Sequence, residues 1–182
     1  MITVFEVSSI NVKLTEKPQD VTIIQGFPGF GMVGSVATEF LIEHLKVRQI
    51  GTVVLEDMPA VIAIHKGDLV PPVGIYYAEK HNVVIVNVLT TGPNQDWEFA
   101  ELVHNLSHEL HAKEIISLEG VGGKPPVPGQ TPQQMIAEQV HETFVYATTN
   151  DKLKQLEELG FQRMQESIIM GVSAALILHK FD

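Results

Sequence analysis

Apolar residues fall in short runs along the chain, and longer stretches with helical spacing separate several of these runs. Runs rich in β-branched residues predict buried strands at Val21–Ile24, Ile50–Leu55 and Val83–Leu89. Since strands and helices alternate, the sequence predicts an α/β fold with a largely parallel sheet. We expect a single α/β domain over residues 1–182, a length that suits one substantial core.

Further elements follow from the same pattern. Alternation predicts an edge strand at Ile2–Ser8, whereas the polar stretch Asn11–Asp20 favours a loop. Two closely spaced runs, Val61–Ile64 and Val73–Ala78, indicate a β-hairpin or meander. A helix is expected over Asn150–Leu159. Other predictions are a helix after the loop Thr90–Asn94 with the apolar stripe Phe99, Leu102, Val103, Leu106 and Leu110, a strand at Glu114–Leu118, and a helix start at Thr131.

The rest of the chain is organised around a strand, a glycine turn and a helix between Val21 and Gly34. Glycines break the strand, and helical spacing begins at Met32. The stretch Gly29–Gly34 reads G-x-G-x-x-G, and a second strand about twenty residues later ends at Glu56 and Asp57. This order is typical of a dinucleotide-binding turn, in which the helix N-terminus holds the phosphates and the acid binds a ribose hydroxyl.

The same glycines have a purely structural interpretation. Small residues after a first strand allow a helix to pack closely on a sheet, and Pro28 and Phe30 are unusual in a pyrophosphate-binding turn. The sequence alone leaves both interpretations open.

Three unusual loops are expected to meet at the carboxyl ends of the strands, where ligands bind in open α/β sheets: Gly26–Gly34, Thr90–Trp97 and Glu119–Gly129. They define a candidate cleft for a ligand or a partner protein. Its residues are Gly26, Phe27, Pro28, Gly29, Phe30, Gly31, Gly34, Glu56, Asp57, Thr90, Thr91, Gly92, Glu119, Gly120, Gly122 and Gly123.

Chemistry in this cleft would use Glu119, Asp57 or Asp96 as acid or base and Lys124 as an anion clamp. Alternatively, acids and glycines simply populate turns, or the rim binds another protein. No residue is assigned as catalytic.

Composition excludes several classes of function. The formal net charge of −10 disfavours nucleic acid and anionic membranes as partners, because both require neutralising cations. The chain has no cysteine, which excludes disulfides, zinc-thiolate sites and cysteine nucleophiles. The N-terminus does not read as a signal peptide, and no apolar run reaches about 18 residues, so we expect a cytoplasmic protein.

Three histidines, His104, His108 and His111, share one face of the predicted helix. Two histidines one helical turn apart can share a metal ion, but the segment is not H-E-x-x-H. A solvated helix face is the preferred interpretation, so no metal site is assigned. Signatures of α/β-hydrolases and P-loop proteins are also missing from the sequence.

Five segments together resemble the archaeal proteasome-assembly-chaperone family, some members of which are labelled predicted ATP-grasp enzymes. They are GFPGFGMVGSVATEFLIEHL, VVLEDMPAVI, the Thr90–Gly92 loop, LEGVGG and MGVSAALIL. The resemblance implies a three-layer α/β/α fold like that of nucleoside phosphorylases. It also implies homo-oligomers that bind proteasome subunits, without a known reaction. The end Lys180-Phe181-Asp182 differs from the hydrophobic–Tyr–any-residue tail by which some members dock, so tail docking is not expected.

Two functions are therefore compared. The first is a non-enzymatic assembly chaperone that binds proteasome subunits as a homo-oligomer and needs no cofactor. The alternative is a nucleotide- or small-molecule-binding enzyme that uses the cleft around the glycine turn. ATP-grasp chemistry requires metal-binding carboxylates and basic residues on the phosphates, and no lysine lies in a phosphate-type glycine loop.

Overall fold

The computed structural model describes residues 3–7, 10–55, 58–121 and 143–179. The helices are α1 (Val33–His44), α2 (Asp96–Glu109), α3 (Asn150–Glu158) and α4 (Gly171–Leu178). The strands are β1 (Thr3–Val7), β2 (Ile10–Leu14), β3 (Thr22–Gly26), β4 (Arg48–Leu55), β5 (Ala63–His65), β6 (Asp68–Val70), β7 (Val73–Ala78), β8 (Val83–Val88), β9 (Glu114–Ser117), β10 (Phe144–Val145) and β11 (Gln162–Arg163). None of the described helices has the length and apolar character needed to span a bilayer.

Seven strands form one sheet in the order β1-β2-β4-β7-β8-β3-β9, which confirms the predicted α/β class. The prediction of a largely parallel sheet holds only for β8, β3 and β9, because the other four pairings are antiparallel. The connections explain the difference. A short link such as the four residues between β7 and β8 can join only antiparallel neighbours, whereas parallel strands need a crossover.

The N-terminal part of the sheet contains one strand that the sequence analysis missed. Residues from Asn11 were predicted to form a loop, but β2 pairs with both β1 and β4. The segment alternates, with Val12 and Leu14 fully buried and Lys13 exposed between them. This alternation, and not the polar residues that follow it, determines the local structure.

The main core lies between the sheet and helices α2 and α4. Val84, Val86 and Val88 of β8 belong to one buried cluster with Phe99, Leu102, Val103 and Leu106 of α2 and Val172 and Ala175 of α4. The predicted apolar stripe of α2 is therefore confirmed as its buried face. Since β8 side chains alternate between the two faces of the sheet, Asn87 points to the opposite face.

Helix α1 packs on that opposite face, where it contacts Asn87, and the arrangement has three layers, α/β/α. The buried residues of α1 are small or polar: Gly34, Ser35 and Thr38. Its apolar residues point outwards, so that the side chain of Val36 is 61% exposed and that of Phe40 is 56% exposed. An amphipathic helix beside a sheet normally buries its apolar stripe, and α1 does the reverse.

The chain contains a second, smaller compact unit between Val121 and Ile169; the rest of the described chain forms the larger one. In the smaller unit, β10 and β11 form a parallel pair. Helix α3 begins after Thr149, whose side chain accepts a hydrogen bond from the Lys152 amide, and a left-handed Gly160 follows its end. The predicted helix is thus confirmed, whereas the helix start expected at Thr131 lies outside the described residues.

Candidate functional site

The carboxyl ends of β8, β3 and β9 lie side by side, because these three strands are parallel neighbours. Gly26 pairs with Asn87 of β8, and Gln25 pairs with Ser117 of β9. The glycine loop, the loop after β8 and the segment that begins at Leu118 therefore leave the sheet along one edge. The structure brings together the described parts of all three predicted loops.

The glycine loop reverses direction through two consecutive left-handed residues. Gly31 has φ +65°, and Met32 follows with φ +54°. The Met32 amide donates a hydrogen bond to the Gly29 carbonyl oxygen at 3.0 Å, which closes a single tight turn before α1. Glycine at position 31 is favoured because side chains rarely tolerate this backbone region.

Three of the glycines are required by close packing. A Cβ atom on Gly26 would overlap the Gly34 carbonyl group, and one on Gly34 would overlap the Leu118 carbonyl oxygen. A Cβ on Gly120 would in turn overlap the carbonyl oxygen of Phe30. The first turn of α1 thus rests directly on the backbone of β3 and of the segment after β9. This geometry favours the structural interpretation of the glycines over an open cradle for phosphate.

Glu119 links the loop after β9 to α4. The Ser173 hydroxyl donates a hydrogen bond of 2.5 Å to Glu119 Oε1, and Oε2 lies beside Gly29, 2.9 Å from where a Cβ on that glycine would be. Partial burial raises the pKa of the Glu119 carboxyl above its usual value, although the hydrogen bond from Ser173 opposes this effect. The group is therefore easier to protonate than an exposed glutamate.

The network continues beneath the turn to Gln25, whose side chain is fully buried. Its amide nitrogen donates to the hydroxyls of Ser117, at 2.5 Å, and Ser173, at 3.1 Å. Among the described residues its carbonyl oxygen has no hydrogen-bond partner. A chain of polar groups thus runs from β3 through α4 to the Glu119 carboxylate.

Sequence reasoning missed the polar residues below the turn: Gln25, Ser117 and Ser173, together with Ser35, Thr38 and Asn87 on the other face of the sheet. A signal was present, because Gln25 and Asn87 each interrupt an otherwise apolar strand. A buried polar side chain needs a partner, and such an interruption points to a network.

The loop after β8 joins the same edge through backbone contacts. The Ser35 hydroxyl of α1 donates to the Val88 carbonyl oxygen at 2.8 Å. The Gly92 amide donates to the Gln95 side chain at 2.6 Å, which orders the approach to α2. Thr90 and Thr91 lie in this loop, half-buried.

Several predicted site residues lie outside the described residues: Glu56, Asp57, Gly122, Gly123 and Lys124. Strand β4, which precedes Glu56, runs in the same direction as β8 but is separated from it by β7. Asp96 is placed at the start of α2, where a Cβ on Gly171 would lie 3.7 Å from its Oδ1 atom.

The predicted histidine face of α2 contains one close pair. The Nε2 atoms of His104 and His108 lie 3.1 Å apart, and the ring of His179 stacks on that of His104. Burial lowers the pKa of His104, and the neighbouring rings of His108 and His179 lower it further. Within the described part of the chain, no group of three or more His, Asp or Glu side chains is placed to hold a metal ion.

Comparison with known proteins places this geometry in a family. Residues 23–180 match the PAC2 family, so the chain belongs to that family. The fold also resembles the crystal structure of Pyrococcus furiosus PbaA, described as an archaeal homolog of proteasome-assembly chaperone. That match has a TM-score of 0.76 and 27% identity, and it covers 93% of this chain and 70% of PbaA. The resemblance to an assembly-chaperone family is thereby confirmed.

Two further relatives extend the comparison. Pyrococcus furiosus PbaB, described as an archaeal proteasome activator, matches with a TM-score of 0.69 and 21% identity over 92% of this chain and 73% of PbaB. An uncharacterised protein of Methanocaldococcus jannaschii is 28% identical over 99 residues, which are 54% of this chain and 41% of that protein. At 21% identity PbaB supports the fold alone, and the match spans about two fifths of the curated relative.

Proposed function

We propose that this PAC2-family protein is a proteasome-assembly-chaperone-like protein that binds proteasome subunits as a homo-oligomer and catalyses no reaction. The observation that carries the proposal is the likeness to PbaA, which extends over 93% of the chain at 27% identity. The family match begins at residue 23, and it therefore includes the glycine turn and helix α1.

The geometry of the glycine turn favours a structural role for the turn over nucleotide binding. Of the glycines that suggested a dinucleotide cradle, Gly34 packs against the Leu118 carbonyl oxygen, and a Cβ on Gly29 would lie 2.9 Å from Glu119 Oε2. The hydrogen bonds of the Glu119 network join a carboxyl, two hydroxyls and an amide of the same chain. Such a network fixes α4 and β3 relative to the turn, which is a structural task.

The direct test is co-migration of the full chain with separately purified archaeal proteasome α and β subunits on size exclusion and native mass spectrometry. We expect a stoichiometric complex with unassembled subunits. Failure to bind either subunit over the accessible concentration range would overturn the proposal. A control with assembled 20S particles shows whether binding is restricted to unassembled subunits.

A thermal-shift screen with nucleotides and dinucleotides tests the enzyme alternative. A ligand at 100 times its Kd would add about 2.7 kcal/mol to the free energy of unfolding. We expect no such shift with ATP, ADP or NAD, with or without Mg²⁺. A reproducible shift that Gly29→Ala abolishes would instead favour the alternative, since that glycine lies in the turn and contacts Glu119.

A further inference from the structure

Two imidazole nitrogens approach each other on the solvent side of α2. His104 and His108 are separated by one helical turn, and their Nε2 atoms lie 3.1 Å apart. Both side chains are exposed, whereas Val103 and Leu106, their neighbours in the sequence, are buried in the core. The pair therefore stands on the outer face of a helix whose inner face is held in place by packing.

The two rings do not face each other as the partners of a linear hydrogen bond do. Their centroids are 4.6 Å apart and their planes are inclined at 79°. A linear N–H···N bond of 3.1 Å would hold the centroids more than about 5 Å apart, because each ring centre lies behind its own nitrogen. The rings are therefore oblique to the line between the nitrogens, as two imidazoles are when they bind one common atom.

The separation of the nitrogens matches the geometry of a metal centre. Zinc binds histidine nitrogen at about 2.0–2.1 Å. With the Nε2 atoms 3.1 Å apart, an ion at that distance from both would have an N–metal–N angle of about 95–100°. This angle lies between the values of octahedral and tetrahedral coordination, about 90° and about 109°. Binding therefore requires little movement of either side chain.

Neighbouring aromatic rings restrict the orientation of His104. The imidazole of His179, at the end of α4, lies parallel to that of His104, with 7° between the planes and 5.8 Å between the centroids. Trp97 in turn lies edge-on to His179, also with 5.8 Å between the centroids. A ligand whose orientation is fixed in advance loses less side-chain entropy when the metal binds.

We propose that His104 and His108 form a binding site for a divalent transition-metal ion, Zn²⁺ or Cu²⁺, with water in the remaining coordination positions. Imidazole nitrogen is a preferred ligand of both ions. Among the described residues no third His, Asp or Glu side chain completes the site, so water must do so. The inference goes beyond the proposed function, because it concerns α2 and not the surface that binds proteasome subunits.

The sequence around the pair indicates binding and not hydrolysis. In the metalloprotease motif H-E-x-x-H, a glutamate follows the first histidine and acts as the general base. Here the corresponding residue is Asn105, whose amide cannot accept a proton from a metal-bound water. The site can therefore hold and release an ion without the group that would turn bound water into a nucleophile.

The first test is calorimetric titration of Zn²⁺ into the untagged full chain after treatment with EDTA and removal of the chelator. The wild type should bind one ion at this site. His108→Ala should weaken binding about tenfold or more, because loss of an outer-shell partner alone costs about 10–100-fold in metal affinity. His108 is exposed and alanine favours helices, so this variant should fold.

His111→Asn is the matched control. His111 follows the end of α2 and is also exposed, but no group of three metal-binding side chains forms with it among the described residues. Its backbone is left-handed, with φ +47°, and asparagine tolerates this conformation. The control variant should bind Zn²⁺ with the affinity of the wild type.

Nitrogen-15 NMR of the imidazoles identifies the atoms that bind the metal. Without metal, a hydrogen bond between two neutral rings requires one Nε2 atom to carry the proton and the other to accept it. When both Nε2 atoms bind the metal, both rings must carry their proton on Nδ1. Zn²⁺ should therefore change the tautomer of one ring and shift the Nε2 resonances of both His104 and His108, and EDTA should reverse both effects.

Four outcomes would overturn the inference. The wild type might bind neither Zn²⁺ nor Cu²⁺ at any concentration at which it stays soluble. His108→Ala might bind as tightly as the wild type, or His111→Asn might lose as much affinity as His108→Ala. Finally, Zn²⁺ might bind while the Nε2 resonances of His104 and His108 stay unchanged, which would place the ion elsewhere on the chain.

Discussion

Helices α1 and α2 lie on opposite faces of the same sheet and have comparable apolar spacing, yet they use it in opposite ways. α2 turns Phe99, Leu102 and Leu106 into the core, and all three are buried. α1 turns Phe40 and Val36 to the outside and packs through Gly34 and other small residues. The difference shows that an apolar stripe predicts a helix reliably but does not by itself tell which surface the helix covers.

The reason lies in the partner surface of each helix. On the α2 face, β8 offers valines that need apolar neighbours. On the α1 face β8 presents Ile85 and Asn87, and the Asn87 amide oxygen accepts a hydrogen bond from Thr38, with 3.0 Å between Oγ1 and Oδ1. Polar groups buried without partners are costly, so the polar side of α1 is drawn to the sheet.

The largest expected effect comes from one substitution made in both helices. Phe99→Ala should lower the free energy of unfolding by about 3–5 kcal/mol, because the ring is fully buried and contacts Phe27 edge-on at 5.1 Å. Phe40→Ala should cost less than about 1 kcal/mol in dilute, monomeric protein. Urea denaturation measures both. Equal costs would show that the Phe40 ring is buried within the monomer.

The next largest effect is expected for Gly34→Ala, for which the sign of the change in the free energy of unfolding distinguishes close packing from an ordinary helical glycine. In an ordinary helix this change stabilises by about 0.5–1 kcal/mol. Here the added methyl group would meet the Leu118 carbonyl oxygen, so we expect a loss of about 1–3 kcal/mol. The reverse change on the outer face, Ala37→Gly, should cost only the propensity difference of about 1 kcal/mol. A stabilised Gly34→Ala variant would refute close packing as the role of this glycine.

A smaller effect is expected for Thr38→Val, which removes the hydroxyl that faces Asn87. The loss should be about 1–2 kcal/mol, because a buried amide oxygen loses its partner. The double variant Thr38→Val/Asn87→Val should cost less than the sum of the two single changes, since neither partner is then left unpaired. Simple additivity in thermal denaturation would indicate that the two side chains do not interact.

The smallest effect concerns pH. Because the folded pKa of Glu119 is raised above its usual value of 4.5, the folded state binds this proton more tightly than the unfolded chain does. The contribution of Glu119 to the free energy of unfolding is therefore present below pH 4.5 and is lost as the pH rises through the higher pKa of the folded state. Relative to Glu119→Gln, the wild type should lose stability between pH 4 and pH 7. A midpoint difference between the two proteins that stays constant over this range would contradict the burial of the carboxyl.

The sequence predicted those parts of the fold that depend on local pattern. β8 and α2 are set by continuous or periodic apolar residues, and α3 by Thr149 and Gly160 at its ends. Strand β2 was not predicted, because its alternation of apolar and polar residues spans only five residues. The strand directions could not be predicted from composition, since connection length and crossover decide them.

For the candidate site, the sequence predicted the edge of the sheet but not the contacts. The loops after β3, β8 and β9 were expected to meet, and their described parts do. That Gly34 meets Leu118, and that Gln25 meets Ser173, depends on residues far apart in the chain, which no local pattern encodes. The two interpretations of the glycine turn could therefore be separated only in three dimensions.

The Gln25 side chain also bears on how the protein folds during synthesis. Its two hydrogen-bond partners lie 92 and 148 positions further along the chain. At about 5–20 residues added per second, roughly 7–30 s separate the emergence of Gln25 from that of Ser173. Until Ser173 has been synthesised, the side-chain amide of Gln25, which is buried in the folded protein, lacks one of its hydrogen-bond partners. The hydrogen bonding of β3 is therefore completed late in synthesis.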